Sequence, residues 1–141
     1  MQPEAKYKAD IRKRVKPFAY VLGNSNSFTA GIPDHWYSGN KSDLWVEYKF
    51  LRKLPKIIDP LDLLSPLQAD WLETRHREGR HIAVIIASPH GALIYDGLSW
   101  KGAPTSRQHF LDQAEDKKAI AHWIISCVTL PPKSSTPGMT H

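Results

Sequence analysis

The sequence predicts an α/β domain with a mixed central sheet and extra helices towards its C-terminal end, and three segments carry that expectation. Asp43 to Leu51 alternates, with Leu44, Val46, Tyr48 and Phe50 on one side and Trp45, Glu47, Lys49 and Leu51 on the other, the two-residue period of a strand. Ile82 to Ala87 is a continuous apolar run, as expected of a strand buried on both faces. Between Pro3 and Pro17, Tyr7, Ile11 and Val15 recur every four residues and make one narrow apolar helical face.

Taken in order, Pro3 suits the first turn of that helix and Pro17 stops it. Phe18 to Leu22 reads as a short strand and Gly23-Asn24-Ser25-Asn26 as a turn. Ser27 to Ile32 is expected to form a second strand leading into Pro33-Asp34, and His35 to Ser42, with Gly39-Asn40, a loop or hairpin turn. After the alternating strand, Arg52 to Leu64 is broken by Pro55 and Pro60 and is expected to be an irregular connection. A second long helix is capped by Ser65, with Pro66 first in the helix and Gln68 three residues after the cap, and runs to about Glu78 before Gly79. Pro89-His90-Gly91 turns the buried strand into Ala92 to Tyr95, an expected edge strand. Ser106 is expected to cap a further helix, and Ile120, Trp123, Ile124 and Cys127 mark the stripe of the last. Residues 131–141, rich in Ser, Thr and Pro, read as a loose tail, which leaves 1–130 as a single domain.

A chain of 141 residues with 41% apolar content can bury a core without disulfides. The lone Cys127 excludes an internal disulfide and a Cys-rich zinc site. Met1 to Lys16 is charged throughout, unlike a signal peptide, and no stretch has the length of a membrane span, so a soluble cytoplasmic protein with no membrane partner is expected. The net charge of +5 is unevenly spread. Lys6, Lys8, Arg12, Lys13, Arg14 and Lys16 crowd the first helix, and Lys49, Arg52, Lys53 and Lys56 follow the alternating strand. Such clusters fit a polyanion, with DNA the expected partner; the alternative is a solvated surface.

Three charged residues stand where packing does not ask for them: Asp34 after a proline, and Glu47 and Lys49 between Trp45 and Leu51 on one strand face. Burying a carboxylate and an ammonium there is costly unless they are paired or bind a metal. Two carboxylates brought together suit Mg²⁺ or Mn²⁺, which can polarise a phosphoryl oxygen, while a nearby lysine orients water or neutralises developing charge. The alternative is a same-face salt bridge. Glu4 falls in the middle of the Tyr7, Ile11, Val15 stripe and is expected to point inward, as a further metal or water ligand or as a complement to the helix dipole. Gln68 shares a helical face with Trp71 and Leu72, and also completes a capping box with Ser65. The seven histidines show no metal-binding spacing and read as surface or packing residues. Trp36 and Tyr37, beside Asp34, could stack on a nucleotide base or pack within a loop.

Gly31-Ile32-Pro33-Asp34, then Trp45-Val46-Glu47-Tyr48-Lys49, then Leu64-Ser65-Pro66-Leu67-Gln68 with Trp71 resemble the successive motifs of the VRR-NUC branch of PD-(D/E)xK nucleases, over roughly Glu4 to Ser88. The resemblance implies a restriction-endonuclease-like αβββαβ core. It implies that Asp34 and Glu47 hold a metal with help from the Tyr48 carbonyl, that Lys49 assists the nucleophile, and that Glu4 and Gln68 are the first-helix carboxylate and second-helix glutamine. Lys53 to Leu63 is an insertion relative to that pattern, and Tyr48 stands where a small aliphatic residue is usual. Lys101-Gly102-Ala103-Pro104-Thr105-Ser106 is similar to the tail of phage endonuclease I junction resolvases. Together these likenesses imply a phage-type, Mg²⁺-dependent DNA endonuclease, with Mn²⁺ able to substitute, that nicks or selects branched or junction DNA. The alternatives are an inactive DNA-binding module, a site-specific homing or restriction-like endonuclease, and an RNA nuclease or phosphatase. An acidic pair beside a phosphate-binding surface argues against a pure binder. A homodimer is expected, because cutting both strands of a duplex or junction needs two active sites.

Overall fold

The computed structural model describes residues 2–23, 31–102 and 104–131, and the apolar stripes of the sequence decide where its layers meet. Helix α1 (Pro3–Val15) starts on its proline and buries Tyr7, Ile11 and Val15. Three antiparallel strands follow, β1 (Tyr20–Gly23), β2 (His35–Ser38) and β3 (Asp43–Phe50). The connection after β3 holds a two-residue strand, β4 (Ile57–Ile58), and one helical turn, α2 (Pro60–Leu63). Helix α3 (Pro66–Arg77) then leads into β5 (Ile82–Ser88) and β6 (Gly91–Asp96). Strand β7 (Thr105–Ser106) pairs with β4, and helices α4 (Arg107–Gln113) and α5 (Lys117–Val128) complete the fold.

The main sheet has the order β1-β2-β3-β5-β6. Only β3 and β5 pair in parallel; the other neighbours are antiparallel, so the sheet is mixed. All seven residues of β5 are buried, which explains the unbroken apolar run at the sheet's centre. Alternation then sorts the side chains into two cores. Leu44, Val46, Tyr48, Ala83, Ile85 and Ala87 face α1 and α5, and Ile82, Val84 and Ile86 pack with Leu72 of α3, Phe110 of α4 and the fully buried Trp100. Each large aliphatic side chain buried in these layers contributes about 1.5–3 kcal/mol.

The second strand is displaced from its expected place. Residues 27–30 of the expected Ser27 to Ile32 strand lie outside the described residues, Gly31 is in a turn and Ile32 is irregular; the strand is His35–Ser38, within the segment expected to be a loop. The hairpin register His35↔Val46 to Ser38↔Asp43 rewards its aromatic pair, because Tyr37 enters the α1–α5 core and Trp36 pairs across to Trp45. The connection after β3 also has more order than expected, since Asp59 caps α2 and Ile58 is buried. Of the expected 131–141 tail, residues 132–141 lie outside the described residues. No helix among the described residues is long and apolar enough to cross a membrane.

Candidate active site

The parallel register of β3 on β5 sets Glu47 and Lys49 opposite Val84 and Ile86, on the face that α3 covers. Glu47 is 3% exposed, deep enough that its charge needs partners. Helix α3 supplies one. The Gln68 amide donates to Glu47 Oε2 at 3.2 Å, and Lys49 Nζ lies 3.6 Å from the same oxygen. Lys49 Nζ also donates to Gln68 Oε1 at 3.1 Å, so one glutamine ties the carboxylate to the ammonium. Gln68 holds this pose because it is part of the helix cap: its Oε1 accepts from the Ser65 backbone N–H at 2.9 Å, and its own N–H donates to Ser65 Oγ. Capping and site-building, which the sequence left open as alternatives, coexist in this residue.

Asp34 reaches the same place from the start of β2. The Tyr48 backbone N–H donates to its Oδ2 at 3.1 Å, which fixes the carboxylate against β3 between Glu47 and Lys49 in sequence. The approach depends on Gly31. Its φ is +86°, and a Cβ there would sit 2.8 Å from the Leu67 carbonyl oxygen, so only glycine lets this segment cross the start of α3. On the outer side Lys8 of α1 lies 3.7 Å from Asp34 Oδ1.

The site works against a charge on Glu47. Burial first, and then the neighbouring Asp34, push the Glu47 carboxyl up to about 8, with Lys49 and Lys8 pulling the other way. No donor reaches the buried Glu47 Oε1. An acceptor left without a donor, beside a second carboxylate, suits a hard divalent cation: the ion would supply the missing partner and remove the repulsion. No group of three or more His, Cys, Asp and Glu that could hold a metal occurs among the described residues. Two carboxylates without a third such ligand fit a hard divalent cation that completes its shell with water and a phosphate oxygen.

Glu4 is not brought into the site. It is exposed, which corrects the expectation that it points inward: the buried part of the α1 stripe begins one turn later, at Tyr7. A first-turn carboxylate with no core opposite it stays in water, where its charge is best solvated. The basic residues of α1 are likewise not one surface. Lys8 and Arg12 line a small cleft with Asp34 and His35, whereas Lys6 is tied to Asp10 at 2.9 Å and Lys13, Arg14 and Lys16 are exposed elsewhere around the helix. Arg52 donates to Gln2 at 2.7 Å, and Lys53 is exposed. Lys101 pairs with Glu73 of α3 at 3.0 Å. Trp36 is half-buried on the Glu47 side of the sheet.

What lies behind the site left no mark in the local sequence pattern. His35 turns into the opposite core, stacked on Tyr37 at 5.7 Å, and burial holds its pKa down at about 4. Tyr37 and Tyr48 share a hydrogen bond of 2.6 Å between their hydroxyls. This explains the tyrosine at position 48: its backbone serves Asp34 while its ring anchors β3 to β2 from behind.

The fold is similar to that of Hjc from Archaeoglobus fulgidus, a Holliday junction resolvase from an archaeal hyperthermophile, with a TM-score of 0.59 at 14% identity over 86% of this chain and 97% of that one. No family model matches the sequence, and no curated protein does either. The likeness establishes the restriction-endonuclease-like fold, with its mixed sheet and flanking helices.

Proposed function

We propose that this chain is a metal-dependent DNA endonuclease that hydrolyses phosphodiester bonds and selects branched or junction DNA by its structure. The observation that carries the reading is the convergence of Asp34, Glu47, Lys49 and Gln68, from three separate elements, into one partly buried acidic site with an unpartnered carboxylate oxygen. Asp34 and Glu47 would hold Mg²⁺, with Mn²⁺ as a substitute and the Tyr48 carbonyl as a further oxygen. Bound there, the ion would polarise the phosphoryl group and make water a better nucleophile. Lys49, about a quarter exposed at the rim, would orient the attacking water and balance charge on the pentacoordinate phosphorus. Gln68 is a positioning residue, since it reaches the reaction through Glu47 and Lys49. Lys8 and Arg12 lie where a phosphate backbone would pass Asp34.

The motif succession supports placement near the VRR-NUC branch, the 101–106 segment supports a phage-type enzyme, and the fold shared with a junction resolvase supports branched DNA as substrate. A homodimer belongs to the same reading, because resolving a junction takes two symmetric cuts. Plasmid, linear duplex, four-way junction and RNA, each incubated with the protein in Mg²⁺, test it together. Junction cleavage that disappears in Glu47→Gln and Lys49→Ala is the expected result. Cleavage of RNA alone, or equal cleavage by the variants, would overturn it. Light scattering with and without junction DNA checks the dimer.

A further inference from the structure

We infer that the sheet face beside this site carries a second functional element, a tryptophan-lined cleft that stacks an unpaired nucleobase of the bound strand. The inference rests on the nuclease reading for where the strand runs. Helix α3 crosses β3 so that their side chains meet in step: Glu47 and Lys49 contact Gln68, and next to them Trp45 meets Trp71 with ring centroids 5.2 Å apart. The aromatic row continues outward across the sheet, from Trp45 to Trp36 at 6.0 Å and from Trp36 to Tyr20 at 5.7 Å. Trp45 and Glu47 are two residues apart on one strand face, roughly 7 Å along it, so the row begins within a nucleotide's reach of the acidic pair.

Trp45 and Trp71 rest on the α3-side core, and with Trp36 they leave a cavity on their outer side. Trp36, Trp45 and Trp71, with Arg75 and Arg80, line a space of about 690 Å³, within the range of ligand sites of ~300–1,000 Å³. The three indoles are only half-buried, and Tyr20 at the outer end is 61% exposed. The aromatics on the opposite face behave differently, since Tyr37 and Tyr48 are fully buried and pair with each other. The lining also suits a nucleotide's charge. Arg75 lies over the Trp71 ring at 5.5 Å and is already paired with Glu78 at 2.6 Å, so the free charge is that of the exposed Arg80, whose guanidinium has no partner among the described residues. The one lining carboxylate, Asp43, is occupied by the Ser38 hydroxyl at 2.6 Å. Flat π-faces beside guanidinium groups accept any base but only an unpaired one, because a base within a duplex has both faces covered by its neighbours. The cleft would thus read a branch point, flap or frayed end next to the phosphate to be cut.

Binding measured without divalent metal tests the cleft apart from cleavage. The full chain is titrated with oligothymidylate and with a blunt duplex in EDTA, reading tryptophan emission and the anisotropy of labelled DNA. Oligothymidylate should quench the emission. In Trp36→Ala and Trp71→Leu the affinity for oligothymidylate, relative to that for duplex, should fall on the order of 10- to 100-fold. Arg80→Gln, a surface change that leaves the core intact, should lower the salt slope for oligothymidylate by about one. The inference is overturned if quenching is absent, if both DNAs weaken equally, or if Trp36→Ala turns a dimer into a monomer, which would make a second copy the occupant. A chain that cuts nothing but shows the shifted ratio loses the nuclease reading and keeps the cleft. A chain that cuts junctions with an unmoved ratio keeps the nuclease and loses the cleft.

Discussion

The two faces of β3 differ in a way that sequence alternation alone would not suggest. Towards α1 and α5, Leu44, Val46 and Tyr48 lie at most 1% exposed, and the polar groups among them are kept neutral. Burial raises the pKa of both tyrosines and lowers that of His35, so none of them carries charge near pH 7. Towards α3 the same strand presents Trp45, Glu47 and Lys49 to a helix whose polar Gln68 meets them, and Asp34 and Lys8 stand at the rim, each about a quarter exposed. A sealed face keeps its polar groups neutral, and of these the Tyr37 and Tyr48 hydroxyls satisfy each other. A face with an open rim can hold charges close together, because a ligand or solvent can answer them.

The largest effect that would break this comparison is chemical. Glu47→Gln keeps the side-chain shape but removes the negative charge the group would carry against a bound cation, and Mg²⁺-dependent cleavage should fall on the order of 10³-fold or more. Asp34→Asn should behave alike. Both should stay folded, since Glu47→Gln resembles the neutral form that burial and Asp34 already favour without metal, and Asp34→Asn removes the charge that opposes ionisation of Glu47. Near wild-type cleavage would make the α3 face as structural as the other.

On the opposite face the effect should be thermodynamic. Leu44→Ala opens a cavity in the fully buried α1–α5 core and should cost about 2–5 kcal/mol in a urea titration. Cleavage per folded molecule should change little, because Leu44 touches none of the groups around Glu47. A fall in rate larger than the loss of folded protein would mean that the two faces are coupled. Tyr48→Phe is a smaller perturbation of the same face. It strands the Tyr37 hydroxyl in the core and should cost about 1–3 kcal/mol, with Asp34 still held by the backbone N–H of residue 48. Loss of metal affinity in that variant would show that the hydroxyl pair also sets the site.

How far the sequence revealed these faces depended on the period of each signal. Alternation in β3 and the apolar run of β5 were visible because burial on two faces leaves a regular pattern, and Ser65 with Gln68 was visible as a cap. Strand β2 was obscured: His35-Trp36-Tyr37-Ser38 sits between Asp34 and Gly39-Asn40, whose turn chemistry outweighs four residues of alternation. Its aromatic pair was the available signal. The acidic pair and its lysine were legible because they break the apolar logic of a strand. The Lys8–Asp34 pair and the stacking of His35 on Tyr37 were not, because contacts between distant elements leave no trace in local spacing. Glu4 shows the limit of helical periodicity. The stripe gives a direction, but not whether anything lies opposite it.

The smallest effect concerns how the sealed face is closed at its edge. Helices α1 and α5 lie side by side over it, and Asp10 of α1 joins them by accepting from Lys117 of α5 at 2.5 Å, as well as from Lys6 of its own helix. Those hydrogen bonds lower the Asp10 pKa from 3.8 to about 2. A folded-state pKa below the unfolded value means that the unfolded chain binds the proton more readily. The contribution to stability is therefore complete above 3.8 and is lost as the pH falls through about 2. Asp10 is 31% exposed, so solvent and salt screen the pair, and its worth should be on the order of 0.5 kcal/mol. Asp10→Asn should remove that part of the acid dependence, with little change in urea midpoint at neutral pH in high salt. If the variant instead loses as much stability in high salt as in low salt, Asp10 acts through packing between α1 and α5, and the edge of the sealed face is held by shape and not by charge.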